Sequence, residues 1–159
     1  MASDRYFKAC KSFEDVKLPE RSTTHAAGYD FFANEEVTIP SIWNSIWKLI
    51  RGKEVHPTYV HTHVKAKMRS NEVLCLFNRS SNPGRGLILS NGVGVVDADY
   101  FENEGNDGDI GFGFYNIFPY AVTIKKGQKI GQGVFTSFLK TNNDTTKKTR
   151  TGGFGSTGE

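Results

Sequence analysis

The chain has 159 residues, of which 37% are hydrophobic and 23% charged, and its net charge is +3 at pH 7. This length and composition suit one soluble globular domain with its own core and argue against a disordered chain. The 20 basic residues nearly balance the 17 acidic ones, which argues against nucleic-acid binding, because a nucleic-acid-binding domain concentrates a larger positive excess. No stretch approaches the roughly 18 consecutive apolar residues of a membrane span.

Two cysteines, Cys10 and Cys75, are too few for a disulfide framework, and Cys75 lies in an apolar run. A buried, reduced thiol is the expected state, and it is typical of a cytoplasmic protein. The first residues contain no apolar segment of the kind that a secretion signal requires. We therefore predict a cytoplasmic protein that binds neither a membrane nor nucleic acid.

Most of the chain alternates between apolar and polar residues with a period of two. The longest such segment covers residues 58–68 and predicts one half-buried strand, with His61, His63 and Lys65 on its polar side. Further short strands are predicted at residues 73–77, 87–89, 93–96, 110–115, 121–124 and 133–138. Turns rich in glycine and asparagine separate them, and many short strands at such spacing are typical of a barrel or a sandwich.

The pair His61-x-His63 lies on one side of the strand predicted at residues 58–68, and His56 comes shortly before it. Two rings on one face of a strand point the same way, which leaves a metal site open. Zinc normally requires a third or fourth ligand. A solvent-facing strand edge is therefore the favoured interpretation.

Residues 41–52 break the two-residue period and predict a short helix. Ser41 can cap its start and Gly52 can end it. We expect its apolar face to pack onto the chain's own β structure, and a surface for a partner protein is the alternative. The apolar face contains Ile42, Trp43, Ile46, Trp47, Leu49 and Ile50.

The composition changes near the C-terminal end. Residues 140–148 are polar, so we predict a β domain at residues 1–140 and a flexible linker with a glycine-rich end at residues 141–159. The end contains Gly153-x-Gly155-x-x-Gly158, but no strand precedes it and no helix follows, so a dinucleotide-binding loop is excluded. Its arginine, glycines and hydroxyl groups can surround an anion. A frayed chain end is the alternative.

Two segments carry residues that suit phosphate binding. Arg79-Ser80-Ser81 follows an apolar strand and offers a guanidinium fork beside two hydroxyl groups. Gln132 lies among glycines in residues 127–133, where a ligand could approach the backbone closely.

A third segment, residues 87–100, suits recognition of a base and acid–base chemistry. Asn91-Gly92 predicts a tight hairpin turn, and the asparagine amide can donate to and accept from a base edge. The hairpin leads into Asp97, Asp99 and Tyr100. The two carboxylates could hold a metal, or one could be a general base; solvated turn aspartates are the alternative.

In order along the chain, these segments resemble the five motifs of the trimeric dUTPase family, the deoxyuridine triphosphate nucleotidohydrolases. The matching segments are residues 27–30, 79–81, 91–100, 127–132 and 150–157, which together span nearly the whole chain. They are most similar to the motifs of members from Gram-positive bacteria and their phages.

The resemblance implies an all-β, distorted jelly-roll-like β-barrel with one short helix, assembled as a homotrimer with C-terminal arms and active sites at subunit interfaces. The implied activity is Mg2+-dependent hydrolysis of dUTP to dUMP and pyrophosphate. Asp97 would activate the attacking water, and Asp30 and Gln132 would reach the metal through water only. The implied substrate-binding residues are Arg79, Ser80, Ser81, Asn91, Gly94, Tyr100, Gln132, Arg150, Phe154, Gly155, Ser156 and Thr157.

The resemblance also divides these residues by role. Tyr100 would exclude a ribose 2′-hydroxyl, and the hairpin at Asn91 and Gly94 would read uracil. Residues 79–81 and Gln132 would hold phosphates. The C-terminal residues would form a lid that orders on the nucleotide, with Phe154 on uracil and the arginine and hydroxyl groups on the γ-phosphate.

Two alternatives come from the same resemblance. Deamination of dCTP on this fold requires a glutamate where the chain has Gly113, so it is disfavoured. A regulatory role in binding a partner protein is the other alternative, through the helix at residues 42–51 or the loop at 101–109. The chain departs from the family at Asn78, where many members have proline, and in its longer loops after residues 81 and 100.

Overall fold

The computed structural model describes residues 5–147. The secondary structure consists of eleven strands, one α-helix and two short 3-10 turns, Pro83–Arg85 and Ala98–Tyr100. The elements in chain order are β1 Tyr6–Ala9, β2 Tyr29–Phe32, β3 Val37–Ile39, α1 Ile42–Ile50, β4 Thr58–His61, β5 Val64–Lys67, β6 Glu72–Asn78, β7 Leu87–Leu89, β8 Gly94–Asp97, β9 Gly111–Asn116, β10 Val122–Ile124 and β11 Lys129–Ser137.

The strands pair antiparallel in four sheets. One sheet has four strands in the order β2-β11-β6-β8, a second has three in the order β4-β9-β7, and β1-β5 and β3-β10 form two-stranded pairs. Their inner faces enclose one apolar core that includes Phe31, Leu74, Phe112 and Phe114. The all-β prediction with one short helix is confirmed; within residues 5–147 the strands form separate sheets rather than one closed barrel.

The prediction of one continuous strand at residues 58–68 is wrong. The segment divides into β4, which pairs with β9, and β5, which pairs with β1. Between them His63 has a φ of 53°, in the left-handed region, and the Thr62 hydroxyl donates to the carbonyl of Ile110 at 2.6 Å. The apolar–polar alternation continues through the turn, because the same side of the chain still faces the core. The chain nevertheless passes from one sheet to another at this point.

Lys65 is the largest departure from the alternating pattern. Its side chain is 1% exposed instead of facing solvent. The ammonium nitrogen donates to Asp107 Oδ2 at 2.9 Å and to Glu102 Oε1 at 3.0 Å. Burial lowers the pKa of Lys65, but these hydrogen bonds outweigh burial, and the pKa lies above its ordinary value. Lys65 therefore anchors the loop that follows Tyr100 to β5.

His61, with 38% of its side chain exposed, lies on the edge strand β4 as predicted, whereas His63 is largely covered. No cluster of three metal-ligating side chains occurs in the described part of the chain. Nδ1 of His61 lies 2.8 Å from Asp109 Oδ2, and Nδ1 of His63 lies 3.2 Å from the same oxygen. The His63 side chain is only 16% exposed, because Phe13 stacks on its ring at 3.7 Å. The two histidines therefore share one carboxylate and fix the turn between β4 and β5.

This arrangement predicts a pH dependence of stability. The hydrogen bond to Asp109 raises the pKa of His61 above 6.5, against the opposing effect of burial. A raised pKa in the folded state adds stability below the unfolded pKa, and this stability is lost as the pH rises through the folded value. We expect the free energy of unfolding to fall between pH 6 and pH 9 by more in the unchanged chain than in His61→Asn, as measured by urea denaturation. His56→Asn is the control, since His56 is 75% exposed; equal pH dependence in all three proteins would contradict the prediction.

Helix α1 is confirmed at its predicted position, but its predicted packing is wrong. Ser41 occupies the N-cap position in extended backbone, and Gly52 follows the helix with a φ of 69°. No residue of α1 is buried. The polar side, with Asn44, Ser45 and Lys48, lines a cavity against β4 and β9.

The apolar side of α1 points away from the domain. Its exposed fractions are 61% for Trp43, 56% for Trp47, 62% for Leu49 and 72% for Ile50. Among residues 5–147, no helix is long and apolar enough to cross a bilayer. The helix thus leaves its apolar face uncovered by the described part of the chain.

Candidate active site

The loop after β6 is shaped by two asparagines. Asn78 donates to the carbonyl of Leu87 at 3.0 Å and accepts from the backbone N–H of Arg79 at 3.0 Å. Asn82, 1% exposed, donates to Asn78 Oδ1 at 2.7 Å and to the carbonyl of Ile130 at 2.8 Å. These bonds join the loop to the start of β11. The asparagine at position 78 therefore makes contacts through its side-chain amide that a proline cannot make.

Arg79 lies where the loop meets β11. Its Nη1 donates to the carbonyl of Lys129 at 3.4 Å. Ser80 and Ser81 occupy the turn that follows, and both are exposed. A guanidinium group with two accessible hydroxyl groups beside it can bind phosphate oxygens.

Asp30 lies on the neighbouring strand β2 and contacts two side chains through one oxygen. Oδ2 accepts from Lys129 Nζ at 2.6 Å and from the Ser22 hydroxyl at 2.6 Å. Burial raises the pKa of Asp30, but the hydrogen bonds from Lys129 and Ser22 and the nearby charge of Arg79 outweigh it, and the pKa lies below 3.8. Asp30 is therefore an ionised carboxylate at neutral pH.

Gln132 lies directly opposite Asp30 in the pairing of β11 with β2. Its side chain lies over Gly28, where an added Cβ would come within 2.6 Å of Gln132 Oε1. Residues of three predicted motifs, Asp30, Arg79 and Gln132, thus come together at one end of the four-stranded sheet.

The glycines on either side of Gln132 lie against aromatic rings of the core. A Cβ on Gly131 would overlap the Phe112 ring, and a Cβ on Gly133 would lie 2.8 Å from Phe31. Both glycines make room for core aromatic rings on the inner face of β11. The expectation that a ligand approaches the backbone there stays a prediction.

The Asn91-Gly92 turn is present, but β7 and β8 do not pair with each other as a hairpin. β7 pairs with β9 and β8 with β6, so the turn connects two different sheets. Gly92 has a φ of 67°, and Asn91 is exposed at the tip. Gly94 lies against Leu76, because an added Cβ would come within 3.0 Å of it.

Asp97 ends β8 and begins the turn Ala98–Tyr100, whereas Asp99 lies inside that turn. The two carboxylates are thus not on one face of a strand. The Tyr100 ring is buried, with its hydroxyl donating to the carbonyl of Asp109 at 2.9 Å and accepting from Asn106 Nδ2 at 2.6 Å. The loop after Tyr100 therefore fixes the position of the tyrosine ring, and this is one function of the extra residues in the loop.

A single chain holds Asp97 away from the end of the sheet that carries Asp30, Arg79 and Gln132. Asp97 lies opposite Val73 of β6, whereas Gln132 lies opposite Phe77. Four residues along an extended strand and two strand spacings across the sheet place their Cα atoms roughly 16 Å apart. A row of apolar residues, Cys75 between Val95 and Val134, lies between them.

Sequence reasoning missed Lys129 and Asn82, which bridge the predicted motifs, and Asn106, which holds Tyr100. Asparagines in turns gave no signal beyond turn formation. Lys129 lies within the fourth matching segment, next to residues that were singled out. The predicted residues Arg150, Phe154, Gly155, Ser156 and Thr157 lie outside the described residues.

The protein has an antiparallel β fold, and one end of its four-stranded sheet brings together side chains of the kind that can bind a phosphorylated ligand. The dUTPase family model matches residues 14–158. A deoxyuridine 5'-triphosphate nucleotidohydrolase of Lactococcus lactis is 42% identical over 146 residues, covering 90% of this chain and 89% of that relative. The chain belongs to the dUTPase family and is an enzyme of the nucleotidohydrolase class.

Solved structures agree with this assignment. The crystal structure of a dUTPase from Streptococcus mutans matches with a TM-score of 0.73 and 38% identity, covering 86% of this chain and 98% of that one. A mutant dUTPase from phage phi11 of S. aureus, which coordinates a structural Mg(II) ion, matches with a TM-score of 0.66 and 18% identity over 91% of this chain and 97% of that one. At this identity the likeness to the phage protein shows the fold alone.

Proposed function

We propose that the chain hydrolyses dUTP to dUMP and pyrophosphate, with Asp97 as the general base. The observation that carries this is the convergence of Asp30, Arg79 and Gln132 at one end of the sheet in a chain of the dUTPase family. Such an enzyme keeps uracil out of DNA and supplies dUMP. The residues that bind the phosphates act mainly by positioning and by neutralising charge.

In the proposed reaction the oxygen of a water molecule attacks the α-phosphorus, and the Asp97 carboxylate accepts a proton from that water molecule. The bond from the α-phosphorus to the oxygen that bridges to the β-phosphorus breaks, and pyrophosphate leaves with the bonding electrons. Arg79, Ser80 and Ser81 would hold the phosphates in line for this attack. Asn91 and Gly94 would bind uracil, and Tyr100, whose ring is fixed from behind by Asn106, would lie against the deoxyribose.

The residues present fit a magnesium ion that is held mainly by the triphosphate. Asp30 and Gln132 face each other across β2 and β11, and carboxylate and amide oxygens are the donors that magnesium accepts, often through water. When bound, the ion would neutralise charge on the phosphates; Asp30 and Gln132 would orient its waters.

We propose a homotrimer whose active sites each combine residues of different copies. The roughly 16 Å between Asp97 and Gln132 in one chain supports this, because a second copy can bring its own Asp97 to the phosphate-binding end. The apolar side chain of Val95, 65% exposed on the edge strand next to Asp97, suits burial against another copy. In this proposal the C-terminal residues 141–159, beyond the domain at 1–140, complete the site with Arg150, Phe154, Gly155, Ser156 and Thr157.

Mixing two inactive variants tests whether the site is shared. Asp97→Asn and Arg79→Ala should each be inactive alone, but trimers reassembled from an equal mixture should regain roughly a quarter of the sites by random assortment. The rate of pyrophosphate release by the reassembled trimers measures the fraction of active sites that is regained. A mixture as inactive as its components would show that Asp97 and Arg79 act within one chain.

Docking of a partner protein on α1 is a second candidate function, favoured by the uncovered face with Trp43, Trp47 and Ile50. Lys48, Arg51 and Lys53 flank this face, and residues 41–53 contain no acidic side chain. The surface therefore suits an apolar segment flanked by aspartate or glutamate. A second copy of α1 would bring like charges together. Phage 80alpha dUTPase, described as controlling transfer of virulence genes, has the same fold.

Binding of a partner protein at α1 should depend both on the apolar face and on the basic residues that flank it. Each protein captured from the host should be retested against Trp43→Ser with Trp47→Ser, and against Lys48→Glu. A partner on α1 loses binding to both variants while kcat for dUTP is unchanged. Binding that is indifferent to both changes would place the partner elsewhere.

The structure favours hydrolysis over deamination of dCTP. Gly113 of β9 is buried, and a Cβ there would lie 2.8 Å from the Ser90 hydroxyl and 3.1 Å from the Tyr59 ring. A glutamate at this position would require both side chains to move. We propose a cytoplasmic location because two cysteines are too few for a disulfide framework.

A further inference from the structure

Lys129 is a cation of the candidate active site whose charge is already engaged. Its ammonium nitrogen lies 2.6 Å from Asp30 Oδ2 and 3.3 Å from the Ser22 hydroxyl oxygen. The lysine side chain is 33% exposed and the aspartate side chain 13% exposed. The ion pair therefore lies at the surface of the site, where a ligand can reach the lysine.

The backbone explains why Lys129 points here. It is the first residue of β11 and pairs with Phe32, and the register shifts between Lys129 and Gly131. A bulge of this kind changes the direction of the side chain next to it. The carbonyl of Lys129 accepts from Arg79, so the lysine and the arginine are held next to each other by a direct bond.

Two cationic side chains lie near one anionic side chain at this end of the sheet. Arg79 and Lys129 lie around the single carboxylate of Asp30, whose ionisation both cations favour. A nucleoside triphosphate brings several negative charges, and each charge-assisted hydrogen bond to it is about twice as strong as a neutral one. An aspartate that turns toward the waters of a metal ion leaves its lysine with only the neutral Ser22 hydroxyl. The uncompensated charge of the lysine is costly unless another anion replaces the carboxylate.

We propose that Lys129 is a further substrate-binding residue, which pairs with Asp30 in the free enzyme and binds a phosphate oxygen beyond the α-phosphate when the nucleotide is present. This proposal rests on the proposed function, since it requires dUTP to bind at this end of the sheet. The exchange of partners keeps the lysine paired in both states. It also makes Asp30 available to the metal's waters only when the triphosphate has bound.

A series of ligands of increasing phosphate number tests the proposal. The affinities of deoxyuridine, dUMP, dUDP and the analogue dUpNHpp are measured by calorimetry with Mg2+ for the unchanged chain, Lys129→Met and Lys129→Arg. We expect Lys129→Met to weaken dUDP and dUpNHpp by about 10- to 100-fold, the range for a hydrogen bond to a charged group, and to leave deoxyuridine and dUMP unchanged. Lys129→Arg should restore most of the loss. Lys125→Met, an exposed lysine shortly before β11, is the matched control.

A second variant separates the phosphate contact from the ion pair. In an Asp30→Asn background no ionised carboxylate is left unpaired, so adding Lys129→Met should still weaken dUpNHpp by about tenfold. Affinities that are the same with and without Lys129, or a loss that is equal for all four ligands, would overturn the proposal. Failure of the unchanged chain to bind any of the uracil nucleotides would refute the proposed function and this proposal together.

Discussion

Replacement of Asp97 by asparagine is expected to lower kcat for dUTP hydrolysis by about 10²- to 10⁴-fold, the contribution typical of a general base. The amide cannot accept the proton of the attacking water. Because Asp97 lies at the end of β8 on the partly exposed side of the sheet, the substitution should leave the fold and the affinity for dUpNHpp nearly unchanged. Pyrophosphate release at saturating dUTP measures the effect.

Asp99→Asn is the matched control, since Asp99 lies two residues further on, in the exposed part of the same turn. It should retain turnover close to that of the unchanged chain. If Asp97→Asn kept normal turnover, or if Asp99→Asn lost as much, the assignment of the base to Asp97 would be wrong.

Replacement of Lys65 by methionine is expected to lower the free energy of unfolding by about 3 kcal/mol, because removing the buried ammonium group leaves Asp107 with only the exposed Lys11 as a cationic neighbour. Lys65 is 1% exposed and Asp107 is 19% exposed, so Asp107 carries most of the cost. Urea or thermal unfolding measures the loss.

Two further variants identify the cause of that loss. Lys67→Met removes an exposed lysine from the same strand and should change stability little. Adding Asp107→Asn to Lys65→Met should recover part of the loss, since only the more exposed carboxylate of Glu102 is then left without the ammonium group. A double variant no more stable than Lys65→Met would show that packing, rather than charge, explains the effect.

The sequence pattern predicted the positions of α1 and of the strands from β4 onward, because a broad apolar helical face and alternation with a period of two depend on local geometry. It missed the three short strands β1, β2 and β3. It could not predict which strands pair. The segment at residues 58–68 kept its alternation across the change of sheet at His63, so the pattern gave no sign of the break. Likewise the Asn91-Gly92 turn suggested a hairpin, although its two strands belong to different sheets.

Buried polar contacts were the other limit of sequence reasoning. A lysine at an alternating position predicts exposure, and only the carboxylates of Glu102 and Asp107, far away in the sequence, make burial of Lys65 possible. The same holds for α1, where the pattern correctly separated the two faces but could not say which one faces the domain. The motifs that we propose to bind phosphate were found in the sequence, whereas Lys129 required the structure, because its significance lies in its contact with Asp30.

The most direct test of the account is hydrolysis by the full chain with Mg2+ of four nucleotides, dUTP, dTTP, dCTP and UTP. We predict release of pyrophosphate from dUTP with kcat/KM at least about a hundredfold above that for UTP, dTTP and dCTP, the discrimination available from tight packing around the base and sugar. We predict no release of ammonia from dCTP. Equal hydrolysis of all four nucleotides, or deamination of dCTP without hydrolysis of dUTP, would contradict the account.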